Sequence, residues 1–237
     1  MKVLALSSSR LGNGGFLENA LPLIQDFLGY DNLKIAFIPF ASVQRDYDDY
    51  GKMVEQAFAS SPYSIQIVFP SNAKPVIENA DVIMVGGGNT FKLLHDIYNY
   101  ELFQLIQNKV TQGTPYIGWS AGANISGRSI STTNDMPIVQ PKSFMSFKFL
   151  SFQINPHYHN LTIEGHNGET RDQRLEEFVI LNPEIPVVGL PEGTALRLDN
   201  DRLHFVGEKE GVLFRCELNG LPQKRAIVQG EDLSVLL

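Results

Sequence analysis

The chain has 237 residues, 43% of them hydrophobic and 19% charged, which is enough to bury a sizeable core as a single domain over residues 1–237. Its formal net charge of -7 argues against nucleic acid or an anionic membrane surface as the main partner. One cysteine cannot form an internal disulfide, and no apolar run reaches the roughly 18 residues of a membrane span, so we expect a cytoplasmic protein.

The first half of the chain alternates short apolar runs with longer amphipathic segments. Nearly continuous apolar runs predict strands covered on both faces: KVLALS, KIAFIPF, SIQIVFP, DVIMVGGG and YIGWS. The opening run is too short for a signal peptide and is interpreted as the first strand. Helical spacing predicts helices over residues 16–28, 46–60, 90–98 and 101–113, with Pro22 disturbing the first and Gly113 ending the last. This alternation is typical of a parallel α/β sheet with right-handed crossovers.

The pattern changes after residue 120. Residues 129–170 show weak periodicity and many turn-forming residues, and a long irregular segment of this kind is often functional. Residues 171–181 then predict a helix. The remaining apolar runs predict closing strands over residues 187–193, 194–200, 202–207 and 212–218.

The stretch YIGWSAG places Ser120 between two glycines, immediately after a predicted strand. It fits G-x-S-x-G, in which a serine on a tight strand-to-helix turn is exposed and strained. The amide of Ala121, at the start of the following helix, can help to hold an oxyanion. The sequence therefore predicts either a nucleophile at Ser120 or a buried serine in a packing turn.

A second oxyanion donor is available in MVGGGNT, where Gly87 and Gly88 follow another predicted strand. In a parallel sheet this loop lies on the same carboxyl edge as Ser120, where ligand sites form. The alternatives are an ordinary strand-to-helix turn and a phosphate-binding loop, and for the latter neither a following Lys-Ser/Thr nor a G-x-G-x-x-G pattern is present.

A serine nucleophile needs a base and a carboxylate that orients this base. His157 and His159 are equal candidates from chemistry alone, with His166 third, because all three fall in the irregular segment. Asp135 and Glu192 both lie in turn-like segments that can present a carboxylate.

Seven stretches between residues 38 and 193 together resemble the peptidase E family, the α-aspartyl dipeptidases of the serine type: IPFA, VGGGNTFKLL, YIGWSAGAN, TTNDMPIV, QINPHYHN, EGHNGETRDQR and GLPEG. The resemblance implies a three-layer α/β sandwich with a mostly parallel central sheet, of the flavodoxin-like kind found in class I glutamine amidotransferase domains. It implies hydrolysis of dipeptides with N-terminal aspartate, with Ser120 as nucleophile and His157 as base. Asp135 and Glu192 both match family positions, so the third catalytic residue stays open.

Recognition of an aspartyl side chain calls for a cation, preferably a planar guanidinium. Arg171 lies in the matching GETRDQR stretch, at the start of a predicted helix. A cation is unfavourable there unless another interaction compensates for it. Asn89, in VGGGNT, is a second candidate for substrate binding. The expected partner is a small peptide, with the chain acting as a monomer or homodimer. We expect no cofactor and no metal, because H-E-x-x-H is absent and an H-x-H pattern is a weak metal motif.

Three other functions share parts of this pattern. A cyanophycinase-like peptidase would use the same scaffold on aspartate-containing polymers, but no extra polymer-binding module is visible. An esterase of the α/β-hydrolase fold would also use G-x-S-x-G, although its base usually lies later in the chain. A non-catalytic binding protein on an amidotransferase-like fold would leave Ser120 and His157 idle.

Overall fold

The computed structural model describes residues 1–44, 46–161, 164–165, 167–218 and 220–237. Its strands are β1 (Lys2–Leu6), β2 (Lys34–Ile38), β3 (Ser64–Ile67), β4 (Val82–Val85), β5 (Tyr116–Trp119), β6 (Gln153–Pro156), β7 (Val187–Leu190), β8 (Ala195–Asp199), β9 (Arg202–Val206), β10 (Gly211–Cys216) and β11 (Pro222–Ile227). Its helices are α1 (Leu21–Leu28), α2 (Tyr47–Ala57), α3 (Ala73–Glu78), α4 (Thr90–Asn99), α5 (Phe103–Thr111), α6 (Ala121–Asn124) and α7 (Arg171–Leu181), followed by a 3-10 turn over Ser234–Leu236.

The central sheet has seven strands in the order β3-β2-β4-β5-β1-β8-β9. The first five are parallel, whereas β8 and β9 close the sheet in antiparallel fashion. The five strands predicted from apolar runs are all present here, and the predicted fold, a mostly parallel α/β sheet with closing antiparallel strands, is confirmed.

A second sheet contains four strands in the order β11-β10-β7-β6, with β6 parallel to β7 and the other pairs antiparallel. The closing strands are therefore divided between two sheets. Strand β6 lies in the segment that was predicted to be irregular, and this prediction was wrong at that point. The polar residues Gln153 and Asn155 interrupt its apolar pattern, yet both are buried because their side chains hydrogen-bond to the segment around Ser129 and Thr132.

Alternate side chains of the central strands lie in two separate cores, as expected for strands that are buried on both faces. One face packs against α1 and α2, with Ile24, Phe27 and Val54 in the core. The opposite face packs against α3, α4, α5 and the inner face of the second sheet, which contributes Ile154 and Val188. Helix α7 covers the outer face of the second sheet. The second sheet therefore lies beside the central one and shares its core.

Helix boundaries depart from the predicted ones at the first helix. Helix α1 begins at Leu21 rather than at residue 16, because Leu17 takes a left-handed φ of 57° and Pro22 then occupies the first turn. Proline is tolerated there, since the first-turn amides have no partner within the helix. Gly113, with φ of +114°, follows α5 as predicted. In the described part of the chain, no helix is long and apolar enough to cross a bilayer.

Candidate active site

Three neighbouring strands of the central sheet end at one carboxyl edge. Strand β5 lies between β4 and β1, so the segments that follow these strands meet. Ser120 follows β5, the Gly87–Gly88 loop follows β4, and Ser7 follows β1 one residue after its end. The edge thus gathers a hydroxyl and free backbone amides at the place where parallel α/β sheets bind ligands.

Ser120 has φ of 53° and ψ of -113°, a strained conformation for a residue other than glycine. The turn is held because the Ser120 amide donates to Leu6 O at 3.1 Å and the Ser120 carbonyl accepts from the Asn124 amide at 2.9 Å. A Cβ on Gly118 would lie 2.4 Å from the carbonyl oxygen of Gly122, so the strand and helix can approach this closely only with glycine. The hydroxyl is partly exposed rather than packed in the core, as the nucleophile hypothesis requires.

Backbone amides surround this serine. Among the described residues, no hydrogen-bond acceptor is placed opposite the amides of Gly87, Gly88 or Ala121. Gly88 has φ of +143°, and a Cβ there would lie 2.2 Å from Ala41 O, so glycine is required. Such amides can stabilise an oxyanion that forms beside Ser120.

The second sheet supplies a histidine and a carboxylate. Strands β6 and β7 are parallel, with Pro156 opposite Leu190, so the residues after both strands lie at the same edge. Nδ1 of His157 lies 2.9 Å from Oε1 of Glu192. Both side chains are partly exposed, at 40% and 48% respectively. Because Nδ1 faces the carboxylate, Nε2 is the ring nitrogen left to act on a neighbouring hydroxyl.

Asp135 lies elsewhere: it follows α6 in the chain, and its side chain contacts the start of α4. Its Oδ2 accepts hydrogen bonds from the Thr90 amide at 2.7 Å, the Thr90 hydroxyl at 2.5 Å and the Thr133 hydroxyl at 3.2 Å. No contact with His157 joins it to the imidazole within the described residues. Of the two carboxylates that the sequence left open, Glu192 is therefore the one that contacts the imidazole.

Ser7 connects the two edges, and the sequence interpretation overlooked it. Its side chain is fully buried; its hydroxyl donates to Leu190 O at 2.7 Å and accepts from the His157 amide at 3.0 Å. His157 has a left-handed φ of 53°, so this bond stabilises an unfavourable backbone conformation. Its position after a strand that neighbours β5 is the feature by which sequence analysis could have found it.

Ser120 lines two cavities, and a third cavity shares residues with the smaller of these two. A cavity of about 560 Å³ is lined by Ser120, His157, Gly87 and Gly88, and a separate one of about 270 Å³ is lined by Asp135 and others but by none of these four. A small cavity of about 20 Å³ is lined by residues of both: Ser120, His157, Thr133, Asn134 and Asp135. The serine and histidine thus lie between two larger spaces.

The predicted substrate-binding residues divide between these spaces. Arg171 lines the 270 Å³ cavity, where its Nη1 is buried without a hydrogen-bond partner among the described residues. Burial, and then the nearby Arg174, lower the pKa of the Arg171 guanidinium. Asn89 lines the 560 Å³ cavity, but its side chain already caps α4 at the Lys92 amide and donates to Met136 O.

Of the other two candidate bases, His159 is among the described residues. His159 is exposed and lines none of these three cavities. His166 lies outside the described residues.

Comparison with known proteins gives a consistent result. The model of peptidase family S51 matches residues 3–206. A peptidase E of Shewanella denitrificans is 48% identical over 238 residues, covering 100% of this chain and 99% of the relative. A peptidase E of Haemophilus influenzae is 47% identical over 209 residues, covering 87% of this chain and 96% of the relative.

A solved structure supports the fold. The crystal structure of a peptidase from an acI-B1 Actinobacterium has a TM-score of 0.68 at 17% identity, covering 98% of this chain and 96% of that one. Together with the family match and with relatives that span the whole chain, this shows that the chain belongs to peptidase family S51 and is a serine-type peptidase.

Proposed function

We propose that the chain hydrolyses dipeptides with N-terminal aspartate (Asp-Xaa) through an acyl-enzyme on Ser120, with His157 as the general base. The observation that carries the proposal is the His157–Glu192 pair, 2.9 Å apart, on a histidine that lines the same two cavities as the strained Ser120. This arrangement supplies a nucleophile, a base and a group that orients the base.

In the first step, Oγ of Ser120 attacks the aspartyl carbonyl carbon while Nε2 of His157 removes the hydroxyl proton. Glu192 holds the imidazole in the tautomer that leaves Nε2 free and stabilises the imidazolium that forms. The negative charge on the former carbonyl oxygen is received by the amides of Ala121 and of Gly87 or Gly88. One such donor is worth about 3–4 kcal/mol of barrier in other enzymes.

In the second step, the imidazolium of His157 donates its proton to the leaving amine as the C–N bond breaks. The aspartyl group remains on Ser120 as an ester. Water then attacks this ester, His157 removes the water's proton, and Ser120 regains its hydrogen when free aspartate leaves. These steps use only side chains and backbone amides of this chain and require no cofactor. The proposed substrate is a small peptide in the cytoplasm, and the enzyme acts as a monomer or a homodimer.

Recognition of aspartate is assigned to the 270 Å³ cavity, which carries both signs of charge. Arg171 and Arg174 contribute cations, and Asp135 contributes a carboxylate. An N-terminal aspartyl residue carries the complementary pair, a side-chain carboxylate and a free ammonium. The unpartnered Nη1 of Arg171 gains an acceptor from the substrate carboxylate, and Asp135 accepts from the ammonium. Asp135 thus has a substrate-binding role, and Glu192 completes the catalytic triad.

The test compares Asp-Leu hydrolysis by the wild type and by Ser120→Ala. We expect kcat to fall by at least about 10³-fold, because the acyl-enzyme cannot form. Ser60→Ala is the matched control, since Ser60 is exposed and lines none of the three cavities, and this variant should retain activity within about threefold. Full activity in Ser120→Ala would disprove the mechanism.

A further inference from the structure

The proposed function assigns the N-terminal aspartyl residue to the 270 Å³ cavity and leaves the 560 Å³ cavity for the departing residue. The described linings of these two cavities share no residue, and Ser120 and His157 line only the second. A peptide whose scissile carbonyl sits at Ser120 therefore extends its leaving residue into the 560 Å³ cavity. In a dipeptide that residue ends in a free α-carboxylate.

Arg10 is the one permanently charged side chain among the described residues that line this cavity, and none of those residues is acidic. Its guanidinium makes no hydrogen bond or ion pair with any described residue. Its side chain is exposed, so it can reach a ligand without losing an existing partner. An unpaired guanidinium in a cavity without acids is suited to a carboxylate.

The backbone around Arg10 is held in place although its side chain is not. The Ser8 hydroxyl donates to Arg10 O at 2.6 Å, and the Leu17 amide donates to Ser9 O at 2.7 Å. Leu11 packs closely on Gly193, the residue after Glu192. A Cβ on Gly193 would lie 2.9 Å from the Leu11 side chain. The loop thus fixes the backbone of Arg10 relative to the segment that carries Glu192.

We propose that Arg10 binds the α-carboxylate of the leaving residue and thereby sets the preference for dipeptides over longer peptides. A space of about 560 Å³ lies within the range of pockets that hold whole drug-sized ligands, so its size alone does not stop a longer peptide. Charge recognition supplies the discrimination. An amide or a further peptide bond in place of the carboxylate removes the anion that Arg10 would bind.

The experiment measures kcat/KM for Asp-Leu, Asp-Leu amide and Asp-Leu-Leu with wild type, Arg10→Gln and Arg202→Gln. Arg202 is exposed on β9 and provides the same change of net charge away from the site. We expect Arg10→Gln to lose about tenfold on Asp-Leu through KM and to leave the amide unchanged, because a partly exposed charge-assisted bond is lost only for the free carboxylate. Arg10→Lys should retain part of the preference.

Equal losses on Asp-Leu and its amide, or equal effects of Arg10→Gln and Arg202→Gln, would overturn the assignment. The assignment rests on the proposed function, but the two fail separately. If the wild type cleaves Ala-Leu as fast as Asp-Leu, the aspartate specificity fails, and the ratio of Ala-Leu to Ala-Leu amide in Arg10→Gln then decides the role of Arg10.

Discussion

The two sheets contribute to the site in different ways. The edge of the central sheet supplies backbone features: the strained turn at Ser120 and the amides of Gly87, Gly88 and Ala121. The edge of the second sheet supplies a side-chain pair, His157 and Glu192. The first set depends on glycines at fixed positions in local sequence, whereas the second depends on which strands pair. Local motifs therefore position the proposed nucleophile, and long-range topology positions its proposed base and the carboxylate that contacts this base.

The largest effect should come from the carboxylate of the second sheet. We expect Glu192→Gln to lower kcat by about 10³-fold, since an amide can leave the imidazole in the wrong tautomer and cannot stabilise the imidazolium. Asp135→Asn is the matched variant, because the amide oxygen can still accept from Thr90. It should raise KM by about tenfold with little change in kcat.

Steady-state kinetics on Asp-Leu separate the two carboxylates. A large kcat loss in Asp135→Asn together with a mild effect of Glu192→Gln would reverse the assignment of the two acids. It would also move the orienting group from the second sheet to the segment after α6, which contacts the start of α4 through Asp135.

A smaller effect should concern selectivity at the 270 Å³ cavity. We expect Arg171→Met to reduce the preference for Asp-Leu over Asn-Leu by about 10²-fold, because the buried charge-assisted bonds to the carboxylate are lost. Arg174→Met, on the same cavity but exposed, should reduce it only a few fold.

The ratio of kcat/KM for the two substrates measures this effect, and the thermal midpoint of unfolding measures how the substitution changes stability. Burial and Arg174 lower the pKa of Arg171, which means that its guanidinium, although charged, lies in a less favourable environment than water. The thermal midpoint of Arg171→Met should not fall below that of the wild type. Parallel losses on Asp-Leu and Asn-Leu would exclude Arg171 as the specificity group.

The central sheet could be predicted because its strands are buried on both faces and therefore read as apolar runs. Strand β6 could not, since Gln153 and Asn155 are buried through side-chain hydrogen bonds, which a hydrophobic pattern does not register. Strand β11 was not predicted for a different reason: it is an edge strand with Pro222, Lys224 and Arg225, and its residues are mostly exposed, so it contains no apolar run.

The candidate site also contains parts that the sequence could predict and parts that it could not. Ser120 follows from a motif within five residues, and the amides of Gly87 and Gly88 follow from the edge rule for parallel sheets. The contact of Glu192 with His157 depends on the pairing of β6 with β7, which joins segments about 35 residues apart, and this contact is what favours Glu192 over Asp135 in the proposal. Chemistry alone left His157 and His159 equal, and the resemblance to a family separated them.

The smallest effect tests the link between the two edges. Ser7→Ala removes the hydroxyl that accepts from the His157 amide and donates to Leu190 O. Ser146→Ala is the matched control. The Ser146 hydroxyl is also buried and donates to Gly127 O at 2.7 Å, but it lies away from the site. Both variants should lose about 1–2 kcal/mol of unfolding free energy.

Ser7→Ala alone should also lower kcat, by about tenfold with KM unchanged, because the imidazole of His157 loses the backbone bond that holds it in register with Ser120. Ser7→Cys, which keeps a weak donor and acceptor in nearly the same space, should recover part of the rate. Kinetics well below the unfolding temperature make the comparison independent of stability. If Ser7→Ala and Ser146→Ala retain equal kcat, Ser7 only stabilises the fold, and the two edges hold their alignment through packing alone.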